Sequence, residues 1–361
     1  MNLESLKAPT LIVDKKKVTE NINFMANKAK DHNIVLRPHF KTHQSAKVGD
    51  RFRLSGIDKI TVSSVQMAKY FAAEAWKDIT IAFPMNIRET EDILLLAKQV
   101  NLNVLISSVE TAKFLSKQCK TPLSYFIKID AGYGRAGVSA ENTEKIKQII
   151  DVLQANKSIA FKGFLAHFGN TYYAKGKNEV LKIYADSKER LIKLKNQFLN
   201  DYPDLILSVG DTPSATLVND FEGIDEIRPG NFVFYDLMQY YIGVCTLSQI
   251  AVALACPVVD IYPQRNEILI YGGGVHLSKE YTLDNDGNKI FGQIVTLNKD
   301  GWEVSEAKAV LRNISKEHGI VSVHPDFIKT VKIGDLVGVL PVHSCLTADL
   351  MRQNGGFYFL E

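Results

Sequence analysis

Eight short β-rich runs, separated by segments of helical spacing, are the feature that most constrains this fold. The runs are IVLRP (34–38), ITVSS (60–64), ITIAF (79–83), NVLIS (103–107), YFIKID (125–130), FKGFLAHF (161–168), LILSVG (205–210) and EIRPG (226–230). Intervening segments such as ETEDILLLAKQV (89–100) repeat apolar residues at three- and four-residue steps. Eight strands with helical crossovers predict a (β/α)8 TIM barrel over residues 10–240. A doubly wound open sheet fits less well, because it usually needs fewer strands.

The pattern changes after residue 240. Segments such as EILIYGG and GDLVGVLPVH are β-branched and are separated by the turn signals DNDG and NKDG, with little helical periodicity. Residues 241–361 therefore predict a second, β-rich domain. The sequence between the two parts contains no flexible linker.

Composition narrows the class of protein. The 361 residues include 43 basic and 40 acidic side chains, a net charge of +3, which argues against nucleic acid or an anionic membrane as the main partner. No apolar stretch approaches the roughly 18 residues of a membrane span, and the start does not resemble a signal peptide. The four cysteines are too few for a disulfide scaffold. We expect a cytoplasmic protein.

Polar residues follow several of the runs, and the carboxyl ends of strands carry the chemistry in a barrel of this kind. Lys41 follows the first run within RPHFKTH, where desolvation would make its amine a nucleophile. Taken alone, Lys41 is better explained as a surface lysine in a loop. The fifth run ends in IDAGYGRAG, whose glycines allow close backbone approach to a ligand and whose Arg135 can face an oxygen anion.

Later runs add candidates at the same predicted rim. The sixth run ends in AHFGNTYY, which carries His167, Tyr172 and Tyr173. The seventh ends in SVGDTPSA, a turn suited to a phosphate group at a helix N-terminus, and the eighth supplies Arg228. A lysine, a phosphate cup and two arginines together indicate pyridoxal phosphate, which needs an amine for its aldehyde, a phosphate clamp and partners for its phenolic oxygen and ring nitrogen.

The order of the motifs carries a family resemblance. RPHFKTH, IDAGYGRAG, AHFGNTYY, GDTP and RPGNFVFYD, followed by GGGVHLSKE, SKEHG and PVHSC, extend over nearly the whole chain. This order resembles the fold-type III (alanine-racemase-like) pyridoxal-phosphate enzymes, within them the branch of D-serine dehydratases and D-threonine aldolases. The resemblance implies a cofactor-binding barrel, a β domain built from residues 1–9 and 241–361, and a homodimer with active sites near its interface.

The resemblance also implies roles for individual residues. Lys41 would bind the cofactor aldehyde, Arg135 would face the phenolic oxygen and Arg228 the ring nitrogen. His167 would lie beside the ring, either as a catalytic group or as a barrel histidine with no catalytic step. The phosphate cup would consist of Gly210, Thr212, Gly230 and Asn231. One of Tyr172 and Tyr173 would face the site, and the sequence does not decide which.

His343 and Cys345 lie in PVHSC, directly after an apolar strand. The spacing alone is weak evidence, since a buried thiol beside a loop histidine would explain it. The resemblance places a metal pair here, and a thiolate with an imidazole suits zinc. It implies a metal-dependent lyase acting on D-3-hydroxy amino acids. Because cysteine at this position is typical of the dehydratases, we favour conversion of D-serine to pyruvate and ammonia over cleavage of D-threonine to glycine and acetaldehyde.

Two other classes stay open at this point. A racemase of the same fold needs a second base, usually a tyrosine from the β domain, and no motif in the last third of the chain matches one. A decarboxylase of this fold is the related alternative. A non-catalytic pyridoxal-phosphate-binding protein usually lacks a second domain, so residues 242–361 count against it.

Overall fold

The computed structural model describes residues 3–304, 309–354 and 356–360. The chain divides into two compact units, which we call the barrel unit (Asn23–Gly230) and the split unit (Met1–Ile22 with Asn231–Glu361). Among the described residues, no helix combines the length and the apolar character that a membrane crossing requires.

After a 3-10 turn at Leu3–Ser5, the chain forms β1 (Thr10–Asp14) and α1 (Lys15–Asp31). The strands of the barrel unit are β2 (Val35–Leu36), β3 (Lys59–Val62), β4 (Asp78–Pro84), β5 (Asn101–Ile106), β6 (Leu123–Asp130), β7 (Val138–Ser139), β8 (Ile159–Ala166), β9 (Ile206–Val209) and β10 (Glu226–Ile227). Its further helices are α2 (Ala46–Leu54), α3 (Val65–Ala73), α4 (Thr90–Ala97), α5 (Val109–Gln118), α6 (Thr143–Gln154), α7 (Lys177–Phe198) and α8 (Thr212–Leu217).

The barrel predicted from the eight runs is confirmed. Each run corresponds to a strand, and the parallel order is β3-β4-β5-β6-β8-β9-β10-β2, with the short β7 added beside β6. A parallel bridge between His39 and Thr61 joins the chain after β2 to β3 and completes the ring. Leu105, Phe126 and Leu165 from β5, β6 and β8 pack together in the core. Burying each such side chain contributes roughly 1.5–3 kcal/mol.

Capping residues fix where the helices after the strands begin. The side chains of Ser64, Ser108, Asn142 and Asp211 each accept a hydrogen bond from a backbone N–H in the first turn of α3, α5, α6 and α8. These groups satisfy N–H donors that a helix leaves without an internal partner. Each cap therefore fixes where the loop after a strand ends. Of these loops, the one before α6 carries Arg135 and the one before α8 carries Gly210.

The split unit is built mainly from antiparallel strands. Its strands after β1 are β11 (Val252–Tyr262), β12 (Glu267–Tyr271), β13 (Thr282–Leu283), β14 (Lys289–Ile290), β15 (Gly292–Asn298), β16 (Gly301–Val304), β17 (Ala309–Ile314), β18 (His318–Val323), β19 (Leu336–Pro341) and β20 (Phe357–Leu360). Its helices are α9 (Leu237–Ile242), α10 (Gly274–Leu277), α11 (Pro325–Ile328) and α12 (Ser344–Asn354).

A long strand, β11, closes the sheet of the split unit. One part of β11 pairs with β19 and the next part with β12, so β11, β12, β18, β17, β15 and β19 form a closed ring. On β11, β1 pairs antiparallel, and β20 pairs parallel with β1. The two compact units meet at residues 22/23 and 230/231, and not at the expected boundaries near residues 10 and 240. At the first boundary the difference includes β1, which pairs with β11 in this sheet. The assignment of separate domains stays a prediction.

Candidate functional site

Lys41 lies in the turn after β2, and the residue before it anchors that turn. Phe40 is fully buried, with ring centroids 5.0 Å from those of Phe52 and Trp76. The backbone N–H of Phe40 donates to the carbonyl oxygen of Thr61 at 2.9 Å. Lys41 itself is exposed. The backbone of Lys41 is therefore held in place while its amine stays accessible.

The loop IDAGYGRAG is organised by one carboxylate. Oδ1 of Asp130 accepts hydrogen bonds from the backbone N–H groups of Gly132, Tyr133 and Gly134, at 3.0, 2.9 and 3.0 Å. Burial raises the pKa of Asp130, but these three N–H groups outweigh it and lower the pKa below its ordinary value. Asp130 thus stays ionised and fixes the loop that presents Arg135.

Gly137 closes this loop, and we expect Gly137→Ala to destabilise the chain by about 3 kcal/mol or more. Its φ is +126°, and a Cβ atom there would lie 2.7 Å from the backbone nitrogen of Asp130. The matched control is Gly134→Ala, with φ +75° but no atom within 4 Å of the added Cβ. The control should cost only about 1–2 kcal/mol. Urea unfolding measures the free energy of unfolding of both variants. Equal losses in the two would contradict the close approach of Gly137 to the backbone of Asp130.

His39 marks the place where four of the predicted residues come together. Burial lowers the pKa of His39 well below its ordinary value, and the positive charges of Lys41 and Arg228 lower it further. His167 and Arg135 act on it in the same direction. The structure therefore places the positive charges of Lys41, Arg135 and Arg228 around His39, together with the imidazole of His167. A cluster of this kind suits an anionic ligand.

His167 is held as a neutral imidazole. Burial lowers its pKa well below the ordinary value, and the charges of Lys41 and Arg135 lower it further. Its Nδ1 donates to the carbonyl oxygen of Gly210. The other ring nitrogen, Nε2, is then an acceptor rather than a charged donor. Whether His167 takes part in catalysis stays a prediction.

Arg228 carries a buried donor atom that no described residue satisfies. Its two terminal nitrogens donate to Ser208 Oγ and to the carbonyl oxygen of Ala166, the latter at 2.7 Å. Its Nε is buried without a hydrogen-bond partner among the described residues. Burial lowers the pKa of Arg228 to about 10, so the guanidinium is charged at neutral pH. A buried donor of this kind calls for an acceptor on a ligand.

A chain of buried, hydrogen-bonded polar groups holds the side chain of Arg228 in its orientation. Ser208, which accepts from Arg228, donates to Glu226 Oε1. Oε2 of Glu226 accepts from Nε of Arg37 at 2.6 Å, and Arg37 also pairs with Asp78 at 2.5 Å. These hydrogen bonds hold the guanidinium of Arg228 in one geometry through its two terminal nitrogens.

The structure distinguishes the two tyrosines. The hydroxyl oxygen of Tyr172 accepts a hydrogen bond from the backbone N–H of Thr212 at 3.1 Å, and its ring centroid lies 6.2 Å from that of His167. Tyr173 is 76% exposed. Tyr172 is thus the tyrosine placed beside the predicted cofactor residues.

The two glycines predicted for the phosphate cup lie where backbone segments approach closely. A Cβ atom on Gly210 would lie 2.9 Å from the carbonyl oxygen of Arg228. A Cβ atom on Gly230 would lie 2.8 Å from the carbonyl oxygen of His39. Both positions therefore require glycine for packing at the strand ends. Their contact with a phosphate group stays a prediction, as does that of Thr212.

Lys128 is a buried lysine beside these residues that no sequence motif singles out. It is 6% exposed, and its Nζ donates to the carbonyl oxygen of Ile129 at 3.0 Å. Burial lowers its pKa to about 7, with contributions from the charges of Arg228 and Arg135. The signal in the sequence was a lysine inside the apolar run YFIKID.

His343 and Cys345 come together in the split unit, at the start of α12. Their side chains are hydrogen-bonded to each other, and Nδ1 of His343 lies 2.6 Å from Oε2 of Glu280. Burial lowers the pKa of His343, but Cys345, Glu280 and the charge of Asp236 raise it to about 11. These anionic surroundings, which stabilise an imidazolium, equally favour a metal cation. The donor types fit zinc.

Asn231 lies in this second cluster. Its Nδ2 donates to Asp236 Oδ2 at 2.6 Å, to Ser344 Oγ at 3.0 Å and to Cys345 Sγ at 3.6 Å. Oδ2 of Asp236 also accepts from the backbone N–H of Ser344 at 3.0 Å. The side-chain contacts of Asn231 are thus with Asp236 and with the loop PVHSC of the split unit. Its predicted role toward a phosphate group stays untested.

The cluster does not form a closed metal site. Among the described residues, no group of three or more His, Cys, Asp and Glu side chains is arranged to hold a metal ion. Two protein ligands would leave coordination positions for water and substrate, as catalytic zinc requires. The role of His343 and Cys345 as metal ligands stays a prediction.

Comparison with known proteins identifies the family. Residues 13–237 match the family model described as "Alanine racemase, N-terminal domain". The chain belongs to this alanine racemase family. A second model, "Putative serine dehydratase domain", matches residues 251–354. The family and fold predicted from the motifs are thus confirmed.

Relatives of this member of the alanine racemase family align with it over nearly its whole length. The D-serine dehydratase of Dictyostelium discoideum is 30% identical over 98% of this chain and 93% of that protein. The structure of D-threo-3-hydroxyaspartate dehydratase from Delftia sp. HT23 has a TM-score of 0.88 at 24% identity, covering 96% and 93% of the two chains. D-threonine aldolase from Filomicrobium marinum has a TM-score of 0.79 at 18% identity, covering 96% and 90%.

Proposed function

We propose that this chain is a pyridoxal-phosphate- and metal-dependent lyase that acts on D-3-hydroxy amino acids and converts D-serine to pyruvate and ammonia. The observation that carries the proposal is the unsatisfied Nε of Arg228, fixed in the same cluster as the accessible amine of Lys41. The likeness to a D-serine dehydratase over 98% of the chain supports the substrate.

The barrel unit offers matching partners for each part of the cofactor. Lys41 would hold the aldehyde, Arg135 the phenolic oxygen and Arg228 Nε the ring nitrogen. Gly210, Thr212 and Gly230 would hold the phosphate group, with Asn231 as the further predicted partner. Pyridoxal phosphate, when bound, withdraws electrons from the Cα atom of an amino acid and so makes its proton acidic.

The residues that would face the ring nitrogen and the Cα atom determine how strongly the bound cofactor activates the Cα proton of the substrate. An arginine donor facing the ring nitrogen, rather than a carboxylic acid, supplies no proton to it, because the Arg228 guanidinium keeps its own at neutral pH. A free, long-lived carbanion is thereby disfavoured. Racemisation within this fold needs a second base on the opposite face of the cofactor, and no motif in the last third of the sequence matches one. The amine of Lys41 would take the Cα proton from one face, so only one configuration of the substrate reacts.

His343 and Cys345 would hold the metal, for which zinc is the proposed ion. Bound there, zinc would supply a Lewis acid for the 3-hydroxyl group of the substrate and stabilise hydroxide as it leaves. The protein contributes the fixed imidazole and thiolate, and Tyr172 and His167 contribute polar groups near the cofactor position. Tyr173 stays a candidate only at the outer rim.

We further propose that the protein acts as a cytoplasmic homodimer on a small molecule. The order of motifs from RPHFKTH to PVHSC supports the dimer, since enzymes with that order are usually dimeric. The buried thiols Cys119, Cys245 and Cys256 support a reducing compartment. Sedimentation of the purified chain tests the oligomeric state.

Product analysis with D-serine, L-serine and D-threonine, with and without a chelator, tests the proposed reaction. We expect metal-dependent pyruvate from D-serine and little product from L-serine. Glycine and acetaldehyde from D-threonine as the dominant products would instead assign the aldolase reaction. Interconversion of D- and L-serine would assign a racemase. A colourless protein that takes up no pyridoxal phosphate would overturn the cofactor assignment.

A further inference from the structure

The motif GGGVHLSKE has no part in the function proposed above, although it ends at a residue in contact with the candidate metal pair. Its last residue, Glu280, places Oε2 at 2.6 Å from Nδ1 of His343. The two residues lie 63 positions apart in the sequence. The contact between Glu280 and His343 is therefore a product of the tertiary fold and not of the local sequence around either residue.

The segment before Glu280 is fixed to the helix that carries Cys345. Oγ1 of Thr347 in α12 donates to the carbonyl oxygen of Leu277 at 3.4 Å, and Nδ2 of Asn354 donates to the carbonyl oxygen of Val275 at 3.3 Å. Leu277 and Val275 belong to α10, three to five residues before Glu280. Helix α12 thus positions both Cys345 and the segment that delivers the carboxylate.

The contact determines which nitrogen of His343 is available to a metal. Nδ1 faces the carboxylate of Glu280, so Nε2 is the ring nitrogen that would bind the ion. Metal-bound histidines usually donate their other N–H to a carboxylate or carbonyl, which fixes the ring and strengthens it as a ligand. The side chain of Glu280 is 44% exposed, and its carboxylate contacts His343.

We propose that Glu280 is a positioning residue for the metal, an outer carboxylate that holds His343 with Nε2 directed toward the ion. This inference rests on the metal site of the proposed function. It assigns Glu280 no direct bond to the metal. Asn231, which donates to Cys345 Sγ, stands in the same relation to the second ligand.

Zinc affinity of the cofactor-loaded full chain tests the role of Glu280, measured by competition with a chromophoric chelator. Glu280→Ala should raise the zinc Kd about 10- to 100-fold. Glu280→Gln should have a smaller effect, because it keeps an acceptor oxygen and loses only the charge. The matched control is Asp326→Asn, which removes a carboxylate beside the exposed His324 and should leave the Kd unchanged.

Cobalt substitution separates positioning from ligation. We expect cobalt-loaded Glu280→Ala to keep the thiolate-to-cobalt absorption of Cys345 while its d–d bands shift. Unchanged zinc affinity and unchanged d–d bands in Glu280→Ala would overturn the proposal. Loss of binding as complete as in His343→Ala would also overturn it, because Glu280 would then be a ligand. A wild-type chain that binds no zinc would overturn both this role and the metal site, whereas the first two results leave the metal site standing.

Discussion

Lys41→Ala is expected to lower turnover of D-serine by at least about 10⁴-fold while the fold is retained, since the variant loses both the amine that holds the cofactor and the base for the Cα proton. The side chain of Lys41 is exposed, and the turn is anchored by Phe40 instead. Pyruvate formation measures turnover. Borohydride reduction followed by peptide mass spectrometry measures attachment of the cofactor.

A lysine elsewhere in the barrel unit provides the control for this substitution. Lys113 is exposed on α5, and Lys113→Ala should keep both turnover and the borohydride-trapped cofactor on Lys41. Circular dichroism checks that both variants are folded. Substantial activity of purified Lys41→Ala without an added amine would refute the assignment, as would trapping of the cofactor on another lysine.

The second large effect concerns the metal pair. His343→Ala should abolish zinc binding and lower D-serine turnover by about 10³-fold or more, because a Lewis acid at the leaving group is worth several kcal/mol. Tight binding of pyridoxal phosphate should persist, since its predicted partners belong to the barrel unit apart from Asn231. Metal analysis, absorbance of the bound cofactor and pyruvate formation are measured on the same preparation.

The matched control for this variant is His324→Ala. His324 is an exposed histidine of the split unit that pairs with Asp326 and with neither member of the metal pair. Its loss should leave zinc content and turnover unchanged. Activity of His343→Ala equal to that of the wild type, or wild-type activity that survives complete removal of metal, would exclude the metal from the mechanism.

The barrel was predictable because its signal is local. The eight runs correspond to the parallel strands of the barrel, most of the runs are apolar, and segments of helical periodicity separate them. The closed ring of the split unit was less predictable. Strand β11 changes partners from β19 to β12 along its length, and β1, from the other end of the chain, pairs with β11. Such pairings are long-range and leave no local pattern.

The candidate site was predictable where a motif carries the residue and not where a distant contact does. Lys41, Arg135, His167 and Arg228 lie in separate motifs at strand ends, which is why a barrel brings them together. The contact between Glu280 and His343 depends on α10 and α12 and has no signature in either segment. Gly230 and Asn231 are neighbours in one motif, yet the contacts of Asn231 are to Asp236, Ser344 and Cys345.

The hydrogen bonds of the Asp130 carboxylate reduce the entropy that the loop loses when a ligand binds. Since its three backbone bonds already hold the loop from Gly132 to Gly134, the loop loses little conformational entropy when a ligand arrives. Most of the attraction from Arg135 is then available as affinity, and association need not wait for the chain to reorganise. Titration calorimetry of the metal-free chain should accordingly show a small heat-capacity change on cofactor binding, without the large signature of coupled folding.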